Sequence, residues 1–203
     1  MRKHGAQAGA KNPFWKGGRV IASNGPTAAI DPTMMVPWPL AYVWLGVSVE
    51  DQATADARIP WLLRTPAAVR FVSYEPALAA VDFTRIDYTE HLKRTLVEAT
   101  RDPHAADSYQ PHAAWLNALT GEWFDGWDSG RDGQKLDWLI IGAESGPGAR
   151  PMDEAWARSA RDQCLAARVA FFYKQKIVDG KKIGTPELDG QRWTEFPQCP
   201  DRE

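Results

Sequence analysis

The sequence has few of the residues and segments that indicate a metal protein, a disulfide-bonded protein or a membrane protein. Its two cysteines, Cys164 and Cys199, are far apart and form no CxxC pair. The four histidines lie at positions 4, 91, 104 and 112 without the spacing of metal ligands, so we expect no metal site. No apolar run approaches the roughly 18 residues of a membrane-spanning helix, and no apolar segment follows the basic N-terminus. These absences predict a reduced, cytoplasmic protein with no membrane contact.

The sequence also lacks a strong charge of either sign. Its 24 Lys and Arg residues nearly balance 26 Asp and Glu residues, for a net charge of −2, so a nucleic-acid partner is not indicated. Residues 1–38 are rich in Gly, Ala and Pro and predict an extended or poorly ordered N-terminal segment. A single α/β domain is expected over 39–203. Ten tryptophans indicate unusually large buried rings in a core or at an interface.

Four short apolar runs are the main structural signal, and each ends in polar residues. They are YVWLGVSVE (42–50), VRFVSYEP (69–76), LDWLIIGAESG (136–146) and RVAFFYKQ (168–175). Continuous apolar runs of this length predict fully buried strands of a parallel sheet. The expected fold class is α/β, with a parallel sheet resembling a partial (β/α) barrel and a helical and loop insertion over 84–135.

The segments that connect these strands predict helices, and the sequence signals are stronger for some of them than for others. Because proline suits the first turn of a helix better than its interior, Pro60 predicts two short helices, over 51–58 and 60–64. The best helix is expected over 153–167, where Asp153 is a plausible N-cap. Its apolar stripe places Cys164 in the core as a small apolar residue and not as a nucleophile.

The insertion breaks the alternation of strands and helices. Helices are predicted over 89–99 and 112–119, and the stretch EWFDGWDSGRDG that follows reads as a loop. Long insertions in compact domains are usually lids or family-specific additions. We interpret the insertion as a family-specific addition and not as a lid, because no residue pattern indicates which groups a lid would cover.

The polar strand ends are the candidate site, because ligands of parallel α/β folds bind beyond the carboxyl ends of the strands. Glu75 and Glu144 are the candidate acid/base carboxylates, and Lys174 is a candidate anion anchor or nucleophile. The further candidate ligand-binding residues are Ser48, Glu50, Ser73, Ser145, Gly146 and Gln175. If the carboxylates converge, they are expected to raise one another's pKa or to share a cation.

Two of these candidates have an alternative interpretation without a ligand. Gly146 lies in a Gly-rich segment that either binds a phosphate or carboxylate group or only forms a turn, with Glu144 as a solvated strand end. Lys174 is either an anchor or one member of a solvated basic patch with Lys176, Lys181 and Lys182, and the patch is the favoured interpretation.

Several long motifs together resemble one known family. They are VWLGVSVEDQATADARIPWLLRTPAAVRFVSYEP, LDWLIIGAESGPGARPM, FFYKQ and LDGQRWTEFP, and in this order they resemble the phage gp-thirty-seven/gp-sixty-eight family of unknown function over about 38–83 and 136–197. The resemblance implies a radical-SAM-like protein with a partial or full (β/α) barrel and an N-terminal cluster of three cysteines that binds a [4Fe–4S] cluster. This chain has no cysteine before Cys164, so it resembles the C-terminal half of the family without its cluster motif.

Three functional hypotheses follow. The first is a phage-type radical-SAM-like barrel fragment that lacks the Fe–S cysteines but keeps a small-molecule or nucleotide pocket at the strand ends. For this hypothesis S-adenosylmethionine is implied by the resemblance only, and a separate cluster-bearing chain or a second copy is the expected partner. The second is a hydrolase or transferase that uses Glu75, Glu144 and Lys174. The third is a non-catalytic phage accessory protein that contacts a protein partner through its Trp-rich insertion.

Overall fold

The computed structural model describes residues 19–21, 35–107, 114–131 and 134–198, and it shows a mixed α/β architecture. Cys199, His4, His112 and most of residues 1–34 lie outside these ranges. In chain order the elements are β1 (Arg19–Ile21), β2 (Met35–Pro37), β3 (Trp44–Ser48), α1 (Gln52–Arg64), β4 (Val69–Tyr74), β5 (Ile86–Asp87), α2 (Thr89–Thr100), β6 (Trp115–Leu116), β7 (Glu122–Phe124), β8 (Ser129–Arg131), β9 (Trp138–Gly142), α3 (Glu154–Ala167), β10 (Ala170–Val178), β11 (Lys181–Gly184), β12 (Glu187–Leu188) and β13 (Gln191–Arg192). None of these helices is long and apolar enough to cross a membrane.

A five-stranded, mostly parallel sheet forms the centre of the molecule, in the order β11-β10-β9-β4-β3. The strands β3, β4, β9 and β10 are parallel, and β11 pairs with β10 in the antiparallel direction. Each of the four apolar runs contains or begins one of the parallel strands, so the prediction of a parallel α/β sheet is confirmed. The prediction that all four strands are fully buried was wrong for β3, which ends the strand order and whose residues are half-buried or exposed. Spatial order follows chain order, which means that each crossover leads to the neighbouring strand.

The two faces of this sheet carry different side chains. In-register residues of the four parallel strands, Val47, Val72, Leu139 and Phe171, lie on the face that packs against α1 and α3. The helices contribute Ala55, Ile59, Leu62, Leu63, Ala157, Ala160 and Cys164 to the same core. The opposite face, which we call the aromatic face, carries Trp44, Phe71, Trp138 and Phe172.

A single helix joins β3 to β4, so the prediction of two helices separated at Pro60 was wrong. A reciprocal capping box begins α1: the Thr54 amide donates to Asp51 Oδ1 at 2.8 Å, and the Asp51 amide donates to Thr54 Oγ1 at 3.0 Å. Pro60 cannot donate an intrahelical hydrogen bond. Its neighbours Ile59 and Leu62 are buried in the core, and this packing keeps the helix continuous.

The insertion begins with the predicted helix, α2, but then forms strands where a helix and a loop were expected. The region 112–119 contains β6 and a turn, with residues 112 and 113 outside the described ranges, and the presumed loop forms β7 and β8. The predicted helix was therefore wrong. Buried Leu116 and Leu119 belong to the main core, and a cross-strand pair of Trp115 and Phe124 stabilises the antiparallel sheet β5-β6-β7-β8.

The predicted C-terminal helix is confirmed as α3. The Asp153 side chain accepts from the Ala155 amide at 2.8 Å and so caps the helix N-terminus. Cys164 is fully buried, and burial raises the pKa of its thiol to about 12. The interpretation of Cys164 as a core residue therefore agrees with its environment, since a neutral buried thiol is a poor nucleophile.

The imidazole of His91 gives folding a pH dependence. It is 5% exposed and lies between the rings of Trp61 and Tyr88. Burial, with smaller contributions from Arg64 and Arg94, lowers its pKa from 6.5 to about 4. Between these pH values the unfolded chain binds a proton that the folded chain does not. The contribution of neutral His91 to the free energy of unfolding is therefore complete above pH 6.5. It decreases by about 3 kcal/mol as the pH falls to about 4.

Replacement of this residue by an apolar ring tests the assignment. We expect His91→Phe to lose less stability than the wild type between pH 6.5 and pH 4, because phenylalanine binds no proton. The measurement is the free energy of unfolding from urea titrations at several pH values. Equal losses in the two proteins would contradict the role of His91.

Candidate functional site

Glu75 lies at the carboxyl edge of the sheet and is held by two side chains of β10. Its Oε2 accepts from Lys174 Nζ at 2.8 Å, and its Oε1 accepts from Gln175 Nε2 at 2.7 Å. The Glu75 side chain is 16% exposed, whereas that of Lys174 is 49% exposed. The structure therefore brings together three predicted site residues that are far apart in the sequence. We call Glu75, Lys174 and Gln175 the strand-end cluster.

Two local features of β9 and β10 allow this arrangement. The register of β10 against β9 shifts between Tyr173 and Gln175, so that Gln175 lies opposite Gly142. A Cβ atom at Gly142 would lie 3.2 Å from Gln175 Cγ and 3.3 Å from Glu75 Cδ. The bulge and the glycine together permit Glu75 and Gln175 to meet across β9.

Gln175 is the buried member of the strand-end cluster. The residue is 1% exposed, and its Nε2 also donates to the Ala143 carbonyl at 2.8 Å. Its Oε1 has no hydrogen-bond partner among the described residues. The side-chain nitrogen of Gln175 thus donates to both the Ala143 carbonyl and the Glu75 carboxylate. This pair of hydrogen bonds orients the carboxylate towards the ammonium of Lys174.

Two of the three candidate serines share a row of the sheet beside this cluster. Ser48 and Ser73 are register partners on β3 and β4, and Ser73 precedes Glu75 by two residues, so all three belong to the aromatic face. Ser48 is exposed and Ser73 is half-buried. Their hydroxyl groups extend the polar end of this face from β10 towards β3.

Glu50 and Glu144 do not join the strand-end cluster through a shared cation. Glu50 pairs with Arg58 of α1 at 3.0 Å, and Glu144 pairs with Arg150 at 2.8 Å. Each strand-end carboxylate therefore has its own cation, contrary to the expected sharing. Hydrogen bonds from the Arg150 side chain and backbone lower the pKa of Glu144 to about 2, so the expected rise in pKa was wrong for this residue.

The segment after β9 is a turn that Glu144 closes. The carboxylate accepts from Nε and Nη2 of Arg150 at 2.8 and 2.9 Å and from its backbone N–H at 2.8 Å. Ser145 and Gly146 are exposed in this turn, and Gly146 has a φ of +116°, which favours glycine. The geometry favours the turn interpretation, and an ionised Glu144 is unsuited to donate a proton near neutral pH.

Sequence reasoning missed Gly142, Arg58 and Arg150. Arg150 lies in the same Gly-rich segment as Glu144, so the six-residue separation of opposite charges was a usable signal. Arg58 follows Glu50 by eight residues, so this pair of opposite charges was also close enough in the sequence to be predicted. Gly142 carries no such signal, because its importance depends on a residue of another strand.

The described residues do not fit the iron–sulfur cluster that the family resemblance implies. Among them no group of three or more His, Cys, Asp or Glu side chains has the geometry of a metal site. A cluster needs several thiolates, and the sequence has two cysteines, of which Cys164 is buried in the core.

Removal of the arginine tests the assignment of Glu144 to the turn. In Arg150→Gln we expect the pKa of the Glu144 carboxyl to rise from about 2 towards about 4.3, the value of a solvated glutamate. The measurement is an NMR titration of the side-chain carboxyl carbon. A pKa that stays near its wild-type value would show that another group holds the carboxylate.

Comparison with known protein families identifies the family of this chain. The model of a family described as protein of unknown function (DUF5131) matches residues 10–197, a range that includes the central sheet, the strand-end cluster and the insertion. No curated protein and no solved structure matches the chain. Because the match covers most of the sequence, the chain belongs to the DUF5131 family of proteins of unknown function.

Proposed function

We propose that this protein binds a small polar ligand at the carboxyl edge of its parallel sheet, on the aromatic face, through the strand-end cluster. The observation that carries the proposal is the Glu75 carboxylate, 16% exposed and held by Lys174 and Gln175 at 2.8 and 2.7 Å. Ligands of parallel α/β folds bind at this edge.

The way the cluster is built supports a binding role over a purely structural ion pair. A surface ion pair contributes only about 0–1 kcal/mol to stability. Here a β-bulge, a glycine and a buried glutamine combine to position one carboxylate. Such preorganisation is typical of groups that must meet a ligand in a fixed orientation.

The chemistry of the residues indicates the ligand class. The half-exposed ammonium of Lys174 suits a carboxylate or phosphate group, and Glu75 suits an ammonium or hydroxyl donor. The hydroxyls of Ser48 and Ser73 add donors and acceptors, and Phe71 and Phe172 provide apolar rings on the same face. These groups together suit a small molecule with a charged head and an apolar or aromatic body, such as a nucleotide derivative.

The first functional hypothesis remains the one that this site supports best. Four parallel strands in sequential order are compatible with a partial (β/α) barrel. The radical-SAM-like resemblance adds S-adenosylmethionine as a ligand, since this molecule has both a charged head and an aromatic body. In this proposal a separate chain supplies any cluster chemistry, and the present chain supplies one side of the pocket in the cytoplasm.

Substitutions at the cluster test the proposal with S-adenosylmethionine as the probe. We expect equilibrium dialysis to detect binding to the wild type and a Kd about tenfold higher, or about 1.4 kcal/mol weaker binding, in Lys174→Met and Glu75→Gln. The first variant removes the ammonium, and the second removes the negative charge while keeping the side-chain shape.

The matched control is Lys182→Met on the exposed strand β11, which removes a lysine of the same region. Its Kd should equal that of the wild type. Equal binding by the Lys174 and Lys182 variants would refute the strand-end cluster as the site. A wild type that does not bind the probe would refute S-adenosylmethionine as the ligand.

The two other hypotheses have less support. The hydrolase or transferase hypothesis requires Glu144 as an acid or base, and this carboxylate is committed to the Arg150 turn with a pKa of about 2. For the accessory-protein hypothesis, the supporting feature is the ring of Trp127, which is 62% exposed between β7 and β8. Exposed tryptophans are frequent at protein interfaces.

A further inference from the structure

An open cavity of about 640 Å³ lies between α1 and the insertion helix α2. Small-molecule sites in proteins have volumes of about 300–1,000 Å³, so this space is large enough for a ligand with an aromatic ring. Its wall includes the apolar side chains of Ala57 and Trp61 from α1 and of Val97 from α2. The cavity therefore lies where the insertion meets a helix of the parallel core, and boundaries between structural units often contain ligand sites.

His91 is a buried residue of this wall whose hydrogen-bonding capacity is not filled. The residue is 5% exposed, and its Nδ1 has no hydrogen-bond partner among the described residues. Burial lowers the pKa of His91 to about 4, so the imidazole is neutral at pH 7. The Nδ1 atom of a neutral imidazole donates or accepts one hydrogen bond, depending on the tautomer. A ligand hydroxyl suits this nitrogen in either tautomer, because a hydroxyl both donates and accepts.

Two carboxylates of the same wall, Asp56 and Asp87, form no salt bridge with the other described residues. The Asp87 amide donates to Asp56 Oδ1 at 2.9 Å, which holds the two residues side by side. The same Oδ1 accepts from Gln52 Nε2 at 2.8 Å, and Asp87 Oδ1 accepts from the Thr89 amide at 2.8 Å. These hydrogen bonds position the carboxylates but leave their negative charges without a cation. A bound cation can therefore pair with them without breaking an existing salt bridge.

The two basic residues of the wall, Lys93 and Arg94, are already engaged. Lys93 Nζ pairs with Glu90 at 2.8 Å, and the guanidinium of Arg94 lies over the Trp61 ring, 4.9 Å from its centroid. An anionic ligand would have to compete for these cations, and it would also meet the two carboxylates that have no cation. Charge complementarity therefore favours a positively charged ligand over an anion.

We propose that the cavity between α1 and α2 binds a small organic ammonium compound with an aromatic ring and a hydroxyl group. The ammonium pairs with Asp56 and Asp87, and the ring packs on the apolar wall beside Trp61. The hydroxyl forms the hydrogen bond that His91 Nδ1 lacks. This site shares no residue with the strand-end cluster, so the inference is independent of the proposed function.

Tyramine is the probe that tests the proposal, because it combines an ammonium, an aromatic ring and a hydroxyl. In a titration of the full-length chain at pH 7, followed by ¹⁵N–¹H NMR, we expect tyramine at millimolar concentrations to shift the amide signals of α1 and α2. Phenethylamine lacks the hydroxyl and should have a Kd about fivefold higher, the effect of one lost hydrogen bond. The compound 3-(4-hydroxyphenyl)propionate has a carboxylate in place of the ammonium, and its Kd should be at least about tenfold higher.

Three variants test whether the probe binds in this cavity. Asp87→Asn removes one charge but keeps an oxygen that can accept from the Thr89 amide, and His91→Phe keeps an aromatic ring without Nδ1. Each should raise the Kd for tyramine about fivefold. Val97→Phe fills part of the cavity from α2 and should raise the Kd about tenfold. It leaves His91 and both carboxylates in place, so it also serves if His91→Phe does not fold.

The matched control is Asp179→Asn in the turn between β10 and β11, which removes the same charge outside the cavity. Its Kd for tyramine should equal that of the wild type. Equal Kd values in the control, in Asp87→Asn and in Val97→Phe would overturn the proposal. The absence of shifts in α1 and α2 would overturn it as well. A carboxylate compound that binds as tightly as tyramine would show that the ligand class is wrong.

Discussion

The parallel pairing of β3, β4, β9 and β10 in chain order is the constraint on which the other features depend. Because register partners in a parallel sheet point to the same side, this pairing gathers Val47, Val72, Leu139 and Phe171 on one face. Helices α1 and α3 cover that face and remove it from water. The same pairing leaves aromatic rings and strand-end polar groups on the other face, so the core and the candidate site have one structural cause.

Charge neutralisation explains how three carboxylates can lie at one edge of the sheet. Glu50, Glu75 and Glu144 each have a separate cation, supplied by α1, by β10 and by the turn after β9. Two of these pairs are local in sequence and keep their own segments in place. The Glu75–Lys174 pair alone joins distant strands, and it is also the pair that a buried side chain supports. This difference is why we propose a ligand site at Glu75 and not at the other carboxylates.

The sequence was informative where structure depends on neighbouring residues and less so where it depends on packing. The four parallel strands and the capped helix α3 followed from apolar runs and from Asp153. Pro60 was misleading because burial of its neighbours outweighs the missing hydrogen bond. The strands of the insertion were missed because β6 and β7 are only two or three residues long. Lys174 and Gln175 were predicted to follow the end of a strand, but they lie inside β10, which continues to Val178 and pairs there with β11. Their contact with Glu75 depends on a bulge and on Gly142 in another strand.

The division of the aromatic face into a polar upper end and a ring-lined lower end has a mechanistic consequence. A ligand at the strand-end cluster would contact charged groups at one side and the edge of the ring layer at the other. Because Trp138 is 9% exposed, the ring layer keeps water from the lower end of this space, which strengthens the interaction of a bound anion with Lys174.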